Sequence, residues 1–124
     1  MTKLSQKEIA VGIFGAINKR DFTEFESYIN EDIILNFPAV DQMKGAKRVM
    51  LFFNILFRKY KSLKFNVSDV IVQENKACVM WNNEGEETDG TSYSNTGLTW
   101  FYFTNGRISL MSDFFKDTSF TKSK

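Results

Sequence analysis

The chain of 124 residues is long enough for one domain with its own hydrophobic core and too short for two. Its 16 basic and 15 acidic residues leave a formal net charge of +1, which gives no reason to expect nucleic acid or a membrane as a partner. The absence of histidine excludes histidine-based catalysis and the common zinc sites, and the single cysteine excludes an internal disulfide framework. Catalysis without a cofactor would therefore use carboxylates, tyrosines, lysines, hydroxyl groups or Cys78.

The N-terminal part of the chain predicts two helices. Ser5 is a candidate cap for the first, and Glu8 three residues later completes a capping box. The apolar run at 9–17 has helical spacing and is too short to cross a membrane, so we interpret it as the buried face of an amphipathic helix. Asp21, with Glu24 at the third helical position, caps a second, short helix.

A strand and a third helix follow. The β-branched residues of 33–37 predict a strand that Pro38 ends. Gly45 begins the third helix, which continues to about Tyr60. Apolar residues cover nearly every side of this helix, so we expect it to be largely buried.

The rest of the chain predicts strands. They lie at 65–72, 76–84, 98–103 and 107–115, and the residues 85–97 between them read as a long polar loop. The element order is α-α-β-α-β-β-β-β, which is typical of an α+β fold with helices against one face of an antiparallel sheet. We expect a single domain over residues 1–124 whose last residues, from about 117, fray.

Both faces of the last hairpin are apolar. Residues 98–103 (LTWFYF) lack the alternation of an antiparallel strand with one wet face. With the helices on one face, we expect a second copy of the chain to cover the other, since such a patch on a monomer usually indicates a partner. The alternative is that the third helix or the 85–97 loop covers this face. The expected homodimer interface contains Leu98, Trp100, Tyr102, Ile108 and Leu110.

The turn of this hairpin decides which way Asp113 faces. A two-residue turn at 105–106 would put Asp113 on the same face as Leu98. A three-residue turn at 104–106 would put Asp113 on the opposite face, with Thr99. We prefer the three-residue turn because of the resemblance described next.

Several stretches resemble the nuclear transport factor 2-like superfamily, and its SnoaL-like branch most closely. They are 18–25 (NKRDFTEF), 29–38 (INEDIILNFP), Gly45 and 101–108 (FYFTNGRI), and the resemblance extends over about 8–117. It implies a cystatin-like fold, in which a cone-shaped, curved antiparallel sheet is packed with three helices. A hydrophobic pocket would open in the cone, and dimers would form through the convex face of the sheet. This fold hosts many unrelated functions, so it predicts no single reaction.

The resemblance also implies a site. SnoaL-like polyketide cyclases use one aspartate on the last long strand as acid and base, and Asp113 falls at about that position. Ketosteroid isomerases are similar too, but their tyrosine and two aspartates would fall at Ile13, Phe37 and Thr99, so none of their catalytic groups is present. The ligand-binding residues implied by these comparisons are Ile13, Tyr28, Phe37, Phe53, Thr99, Phe101, Met111 and Phe115.

The resulting hypothesis is a cytoplasmic protein that binds an unidentified apolar small molecule. If it is an enzyme, it is a cofactor-independent cyclase, isomerase or lyase that acts on a carbonyl compound, with Asp113 as a desolvated general base. Alternatively, Asp113 forms a salt bridge with Arg107, and the protein binds or senses its ligand without catalysis or acts as a protein-interaction scaffold. No metal site is expected. The candidate donors to an oxyanion are Thr99, Tyr28, Tyr60, Asn36 and Trp100.

Overall fold

Three helices pack against a curved, six-stranded mixed sheet, which confirms the predicted α+β fold. The computed structural model describes residues 4–121. None of the helices in this range is long and apolar enough to cross a bilayer. The elements are α1 (Gln6–Lys19), α2 (Phe22–Ser27), β1 (Ile29–Asn36), β2 (Met43–Lys44), α3 (Ala46–Phe57), β3 (Tyr60–Gln73), β4 (Lys76–Glu87), β5 (Ser92–Thr104), β6 (Arg107–Phe115) and a 3₁₀ turn (Ser119–Thr121).

The two predicted helix caps are present. The Ser5 hydroxyl accepts a hydrogen bond from the Glu8 amide at 3.1 Å, and the Glu8 carboxylate accepts one from the Ser5 amide at 2.9 Å. The Asp21 carboxylate accepts a hydrogen bond from the Glu24 amide at 3.0 Å. These bonds satisfy amide groups that a helix leaves unpaired at its start, and so they fix where α1 and α2 begin.

The strand order is β2-β1-β6-β5-β4-β3. Neighbouring strands are antiparallel except β1 and β6, which run parallel with Leu35 opposite Met111. The expectation of a purely antiparallel sheet is wrong at this pair. A short turn forces two consecutive strands to be antiparallel, but β1 and β6 are far apart in the chain and no such turn joins them.

The predicted polar loop at 85–97 is mostly strand. β4 continues to Glu87, β5 begins at Ser92, and the turn between them contains Gly90 with a φ of 91°. Most residues around this turn are at least partly exposed. Their polarity therefore reflects contact with water at the end of a long hairpin, and it does not interrupt the strands.

The hairpin between β5 and β6 has a two-residue turn. Asn105 and Gly106 have φ values of 53° and 80°, and Thr104 pairs with Arg107. Positive φ at both central residues is the geometry that suits the twist of a two-residue hairpin, and Asn-Gly is its preferred sequence. The preferred prediction of a three-residue turn was wrong.

A bulge in β6 nevertheless gives Asp113 the orientation that the three-residue turn was meant to explain. Phe103 pairs with Ile108, but after Ser109 the register shifts by one residue, so that Thr99 lies opposite Asp113. One extra residue reverses the faces of all that follow it. Before the bulge, the two-residue turn pairs Ile108 with Phe103 and so places it in the buried core, and its predicted position on the dimer face was also wrong.

The sheet face turned away from the helices, here called the outer face, remains apolar and uncovered within this chain. Met80, Leu98 and Phe114 lie side by side across β4, β5 and β6. Phe114 is 56% exposed, and Met80 and Tyr102 are also exposed. Within residues 4–121, neither α3 nor the segment at 85–97 covers this face, contrary to the alternative considered above.

Helix α3 is only half buried, so the prediction of a largely buried helix was wrong. Val49, Phe53 and Phe57 are buried against the core, whereas Leu51 is 60% and Ile55 is 54% exposed. The helix lies on one side of the sheet, and within residues 4–121 its outward-facing residues Leu51 and Ile55 stay exposed, so its apolar composition does not require a second covering layer.

The C-terminal segment folds back against the sheet. Lys116 donates a backbone hydrogen bond to Thr96, and the ring of Phe120 packs 4.7 Å from that of Phe115, centroid to centroid. That the chain frays from about residue 117 stays a prediction. Residues 122–124, which the prediction also covered, lie outside the described range.

Candidate functional site

A small apolar cavity lies between the inner face of the sheet and helices α1 and α3. Its volume is about 30 Å³, which is room for one or two water molecules. The cone is therefore nearly filled by its own side chains. Asp113 lies in the wall, together with Phe14, Ile17, Phe37, Phe53, Leu56, Phe57, Tyr60, Leu63, Phe65, Trp81, Asn83, Tyr93, Thr99, Met111, Phe115 and Phe120.

The structure brings five of the eight predicted ligand-binding residues to this wall: Phe37, Phe53, Thr99, Met111 and Phe115. Ile13 and Phe101 are fully buried in the core outside the cavity wall, and Tyr28 lies beside Gly12 of α1. The α1 residues in the wall are Ile17 and Phe14, and the Phe14 ring lies edge-on to that of Phe101 with the ring centroids 6.4 Å apart.

Asp113 is held by a chain of two hydrogen bonds. The Trp81 indole N–H donates to the Thr99 hydroxyl at 2.9 Å, and that hydroxyl donates to Asp113 Oδ1 at 2.6 Å. An indole nitrogen can only donate, so the Thr99 oxygen accepts and its own proton points to Asp113. A proton bound by Asp113 would therefore sit on its second oxygen, Oδ2.

The same surroundings make Asp113 a weak acid. Burial raises the pKa of this carboxyl from 3.8 to about 7, and the hydrogen bond from Thr99 opposes the rise only in part. In the range 4–121 no salt bridge involves Asp113, so the alternative of an ion pair with Arg107 does not hold. Both protonation states are consequently populated near neutral pH, which suits a group that takes up and returns a proton.

Of the candidate oxyanion donors, Thr99 and Tyr60 line the cavity. The hydroxyl of Tyr28 donates to the Glu24 carboxylate at 2.8 Å, and the Asn36 side chain accepts a bond from Gln42 at 2.9 Å. Neither of these two is in the wall, and Trp100 is on the outer face of the sheet. Thr99 already donates to Asp113, and the hydroxyl of Tyr60 bonds to that of Tyr93.

The C-terminal turn closes one side of the cavity. Phe120 lines the cavity, is partly exposed, and packs its ring against Phe37, Tyr93 and Phe115 at 6.2, 6.2 and 4.7 Å. The buried Asn95 side chain holds this segment by donating to the Asp117 carbonyl at 2.8 Å and accepting from the Asp117 amide at 3.2 Å. The turn therefore acts as a plug that docks through one aromatic ring and one side-chain amide.

Asn83 is a wall residue that the sequence analysis missed. It is 3% exposed, and no residue among 4–121 provides a hydrogen-bond partner for its side-chain oxygen. The signal was present, because Asn83 follows Trp81 by two residues and adjacent inward positions on a strand are two apart. Asn83 lies within the predicted strand at 76–84, near the end where the predicted polar loop begins.

The described residues contain no group of three or more cysteine, aspartate or glutamate side chains placed to hold a metal ion.

Comparison with known proteins gives a consistent result. A family model described as a SnoaL-like domain matches residues 11–111. No curated protein matches the sequence. A candidate SnoaL-like polyketide cyclase from Jannaschia sp. CCS1 has a similar structure, with a TM-score of 0.83 and 16% identity over 94% of this chain and 92% of that one.

Two further solved structures are similar. An NTF2-like protein of unknown function from Burkholderia pseudomallei K96243 gives a TM-score of 0.84 with 16% identity, over 93% of this chain and 92% of that one. TerC, co-crystallised with polyporic acid, gives a TM-score of 0.81 with 15% identity, over 93% and 94%. At such identities these structures show a shared fold, whereas the family model matches most of the sequence itself. The chain therefore belongs to the SnoaL-like family.

Proposed function

We propose that this protein binds an apolar carbonyl compound in the cone and that Asp113 catalyses cofactor-independent proton transfer on it. The observation that carries the proposal is a buried carboxyl with a pKa of about 7 in a wall that is mostly apolar and largely aromatic. Burial makes this carboxylate more basic than one in water, and the Trp81–Thr99 pair fixes its orientation. The cyclase-like name of the Jannaschia relative and the ligand crystallised with TerC are compatible with such a function.

The chemistry follows from the free oxygen of Asp113. As a carboxylate, Oδ2 removes a proton from the carbon next to a ketone, and the electrons of the broken C–H bond form an enolate. The enolate carbon attacks a second carbonyl of the same molecule, and a C–C bond and an alkoxide form. The alkoxide takes the proton back from Asp113, which regenerates the carboxylate.

Ligand entry requires the C-terminal turn to move, because a volume of about 30 Å³ does not hold a ring. Phe120 is the wall residue best placed to move. It lies on a three-residue turn, it is partly exposed, and the segment beyond Lys116 docks mainly through Phe120 and Asn95. We therefore infer a closed state, as described here, and an open state in which Phe120 leaves the wall.

The test of the proposal is proton exchange with a simple ketone. We expect the protein to accelerate the exchange of the α-protons of 2-tetralone in D₂O, followed by NMR. We expect Asp113→Asn to reduce the catalysed rate by about 10²-fold or more, because removal of a positioned general base costs 10²–10⁴-fold. The exposed Asp41→Asn is the control, with an unchanged rate. Equal rates for wild type and Asp113→Asn would refute the assignment of Asp113.

A second variant tests the plug. We expect Phe120→Ala to increase 2-tetralone binding and exchange, because it removes the ring that fills the entrance, while it lowers the free energy of unfolding by about 1–3 kcal/mol. Phe22→Ala is the matched control, since Phe22 is also a partly buried phenylalanine but does not line the cavity and stacks on the wall residue Phe57 from behind it. Equal effects of the two variants on binding, measured by NMR titration, would contradict a plug at Phe120.

The small volume of the cavity favours a second candidate, a protein-interaction scaffold whose cone is filled for stability. In the alternative of binding without catalysis, the ligand occupies the same cavity, but Asp113 does not transfer a proton. Absence of 2-tetralone binding by both wild type and Phe120→Ala would support the scaffold, and binding without exchange would support a binding protein.

We also propose that two copies associate through the outer face of the sheet. Met80, Leu98 and Phe114 form one continuous apolar row across three strands, and Tyr102 and Leu110 form another pair beside it. An exposed apolar face of this kind is costly in water, and a twofold axis could bury the faces of both copies at once.

A cytoplasmic location remains a prediction from the single, unpaired Cys78.

A further inference from the structure

Asn83 is the buried polar group in the cavity wall whose side-chain oxygen the fold leaves without a partner. It lies on the inner face of β4, opposite Asn95 of β5, and is 3% exposed. Its Oδ1 atom is buried and has no hydrogen-bond partner within residues 4–121. Buried amides are nearly always paired because an unpaired one forfeits its hydrogen bonds to water, so an unpaired amide in a cavity indicates a group that binds there.

Asn95, which lies opposite Asn83 on β5, cannot donate a hydrogen bond to Asn83 without losing one that it already makes. The Asn95 nitrogen donates to the Tyr93 hydroxyl at 3.0 Å and to the Asp117 carbonyl at 2.8 Å. The Asn95 oxygen accepts from the amides of Thr96 and Asp117. Both protons of the Asn95 amide nitrogen are therefore used, whereas a donor bound in the cavity that Asn83 lines can supply the missing hydrogen bond.

We propose that Asn83 binds a hydroxyl group of the ligand, an inference that rests on the proposed function of the cavity. A hydroxyl group both donates and accepts, so it can pair with either end of the amide. Such a contact would determine specificity, because a site built around a hydroxyl leaves its own polar group unpaired when the ligand lacks one.

The position of Asn83 also limits the shape of the ligand. Asn83 is four residues along β4 from Val79, about 13 Å, and Val79 is in the strand row that contains Thr99 and Asp113. Asn83 and Asp113 therefore lie toward opposite ends of the cavity, with the Trp81 ring system between them. A ligand that reaches both has an apolar, fused-ring body, with a ketone near Asp113 and a hydroxyl on the remote ring.

The test compares two ketones that differ by one hydroxyl, 2-tetralone and 6-hydroxy-2-tetralone, by NMR titration. We expect the wild-type protein to bind the hydroxylated ketone at least about five-fold more tightly. We expect Asn83→Leu, which keeps a similar volume without polar atoms, to lose this preference while it still binds 2-tetralone. Asn82→Leu makes the same change on the opposite face of β4 and should retain the preference.

The outcomes separate this inference from the proposed function. If Asp113→Asn, in which exchange is lost, still binds the hydroxylated ketone more tightly than 2-tetralone, this supports the role of Asn83 independently of catalysis. A preference in a wild-type protein that fails to catalyse exchange supports Asn83 and refutes proton transfer. Exchange without any preference in the wild type would overturn the inference and would mean that Asn83 binds water only. Failure to bind either ketone would overturn both.

Discussion

We expect the free energy of unfolding to decrease as the pH rises from about 4 to about 7, by up to about 4 kcal/mol in total, because of Asp113. This is the reverse of the behaviour of an ordinary paired carboxylate. In the folded protein the pKa of Asp113 is about 7, against 3.8 without burial. Between these values the folded state binds more protons than the unfolded state, so raising the pH favours unfolding.

The direction of this pH dependence follows from the state, folded or unfolded, in which the charged carboxyl is less stable. Below about pH 4 the carboxyl is neutral in both states, and its burial costs little. Above about pH 7 it is charged in both states, and the folded protein carries a buried charge with one hydrogen bond from Thr99. Acidic groups whose pKa is lowered by folding, such as Glu8 and Glu24, contribute in the opposite direction, but they are exposed or partly exposed and their effect is small.

Asp113→Asn isolates the effect, since the amide has the same shape and carries no charge. We expect the variant to be several kcal/mol more stable than wild type at pH 8 and much closer to it at pH 5, as measured by urea unfolding. The contributions of the other groups cancel in this difference. For Asp41→Asn, a change at an exposed site, the free energy of unfolding should depend on pH in the same way as for the wild type. If the curves of wild type and Asp113→Asn are parallel, the pKa of Asp113 is not raised and its role as a base is lost.

We expect the second large effect at the outer face, where Phe114→Glu should convert a dimer into a monomer. Phe114 lies next to Leu98 on the apolar row, and in a dimer each new carboxylate would be buried without a partner. A central interface residue of this type contributes about 2 kcal/mol or more, so the dissociation constant should rise by at least about 30-fold. Sedimentation equilibrium measures this directly, with a wild-type mass of twice the 14.4 kDa chain.

Ile55→Glu provides a matched control. Ile55 is 54% exposed and Phe114 is 56% exposed, but Ile55 lies on α3, away from the outer face. It should leave the dimer intact. A monomeric wild-type protein would refute the dimer, and dissociation by Ile55→Glu but not by Phe114→Glu would move the interface to α3.

The helix order and the caps could be predicted because they depend on local chemistry. Ser5 with Glu8, and Asp21 with Glu24, satisfy helix amides a few residues away, so the sequence alone contains both partners. The apolar inner and outer faces of β5 were also visible in residues 98–103, since side-chain direction along a strand follows from alternation. Asp113, by contrast, was singled out by the family resemblance, which placed it at about the position of the aspartate that SnoaL-like cyclases use.

The direction in which Asp113 points could not be obtained in this way. It depends on a bulge at Ser109, and no residue of the turn predicts that bulge. Without the bulge, the two-residue turn would have placed Asp113 on the outer face of the sheet. The correct face was predicted from an incorrect turn, because the family resemblance constrained the face while the local sequence favoured Asn-Gly. The exposed strand ends at 85–97 were wrongly predicted as a loop for a similar reason, because polar residues indicate contact with water and do not indicate the backbone conformation.

The amino-acid sequence by itself determined the class of fold and the shortage of catalytic groups, because composition, capping and alternation are properties of neighbouring residues. The family followed separately, from the resemblance of several stretches to known sequences. Only the tertiary structure decided that Trp81 and Thr99 hold Asp113, that Phe120 fills the cavity, and that Asn83 lacks a partner there. These facts depend on residues that are distant in the chain, and on the burial that results when the sheet closes over them. Burial, not residue type, gives Asp113 its pKa of about 7.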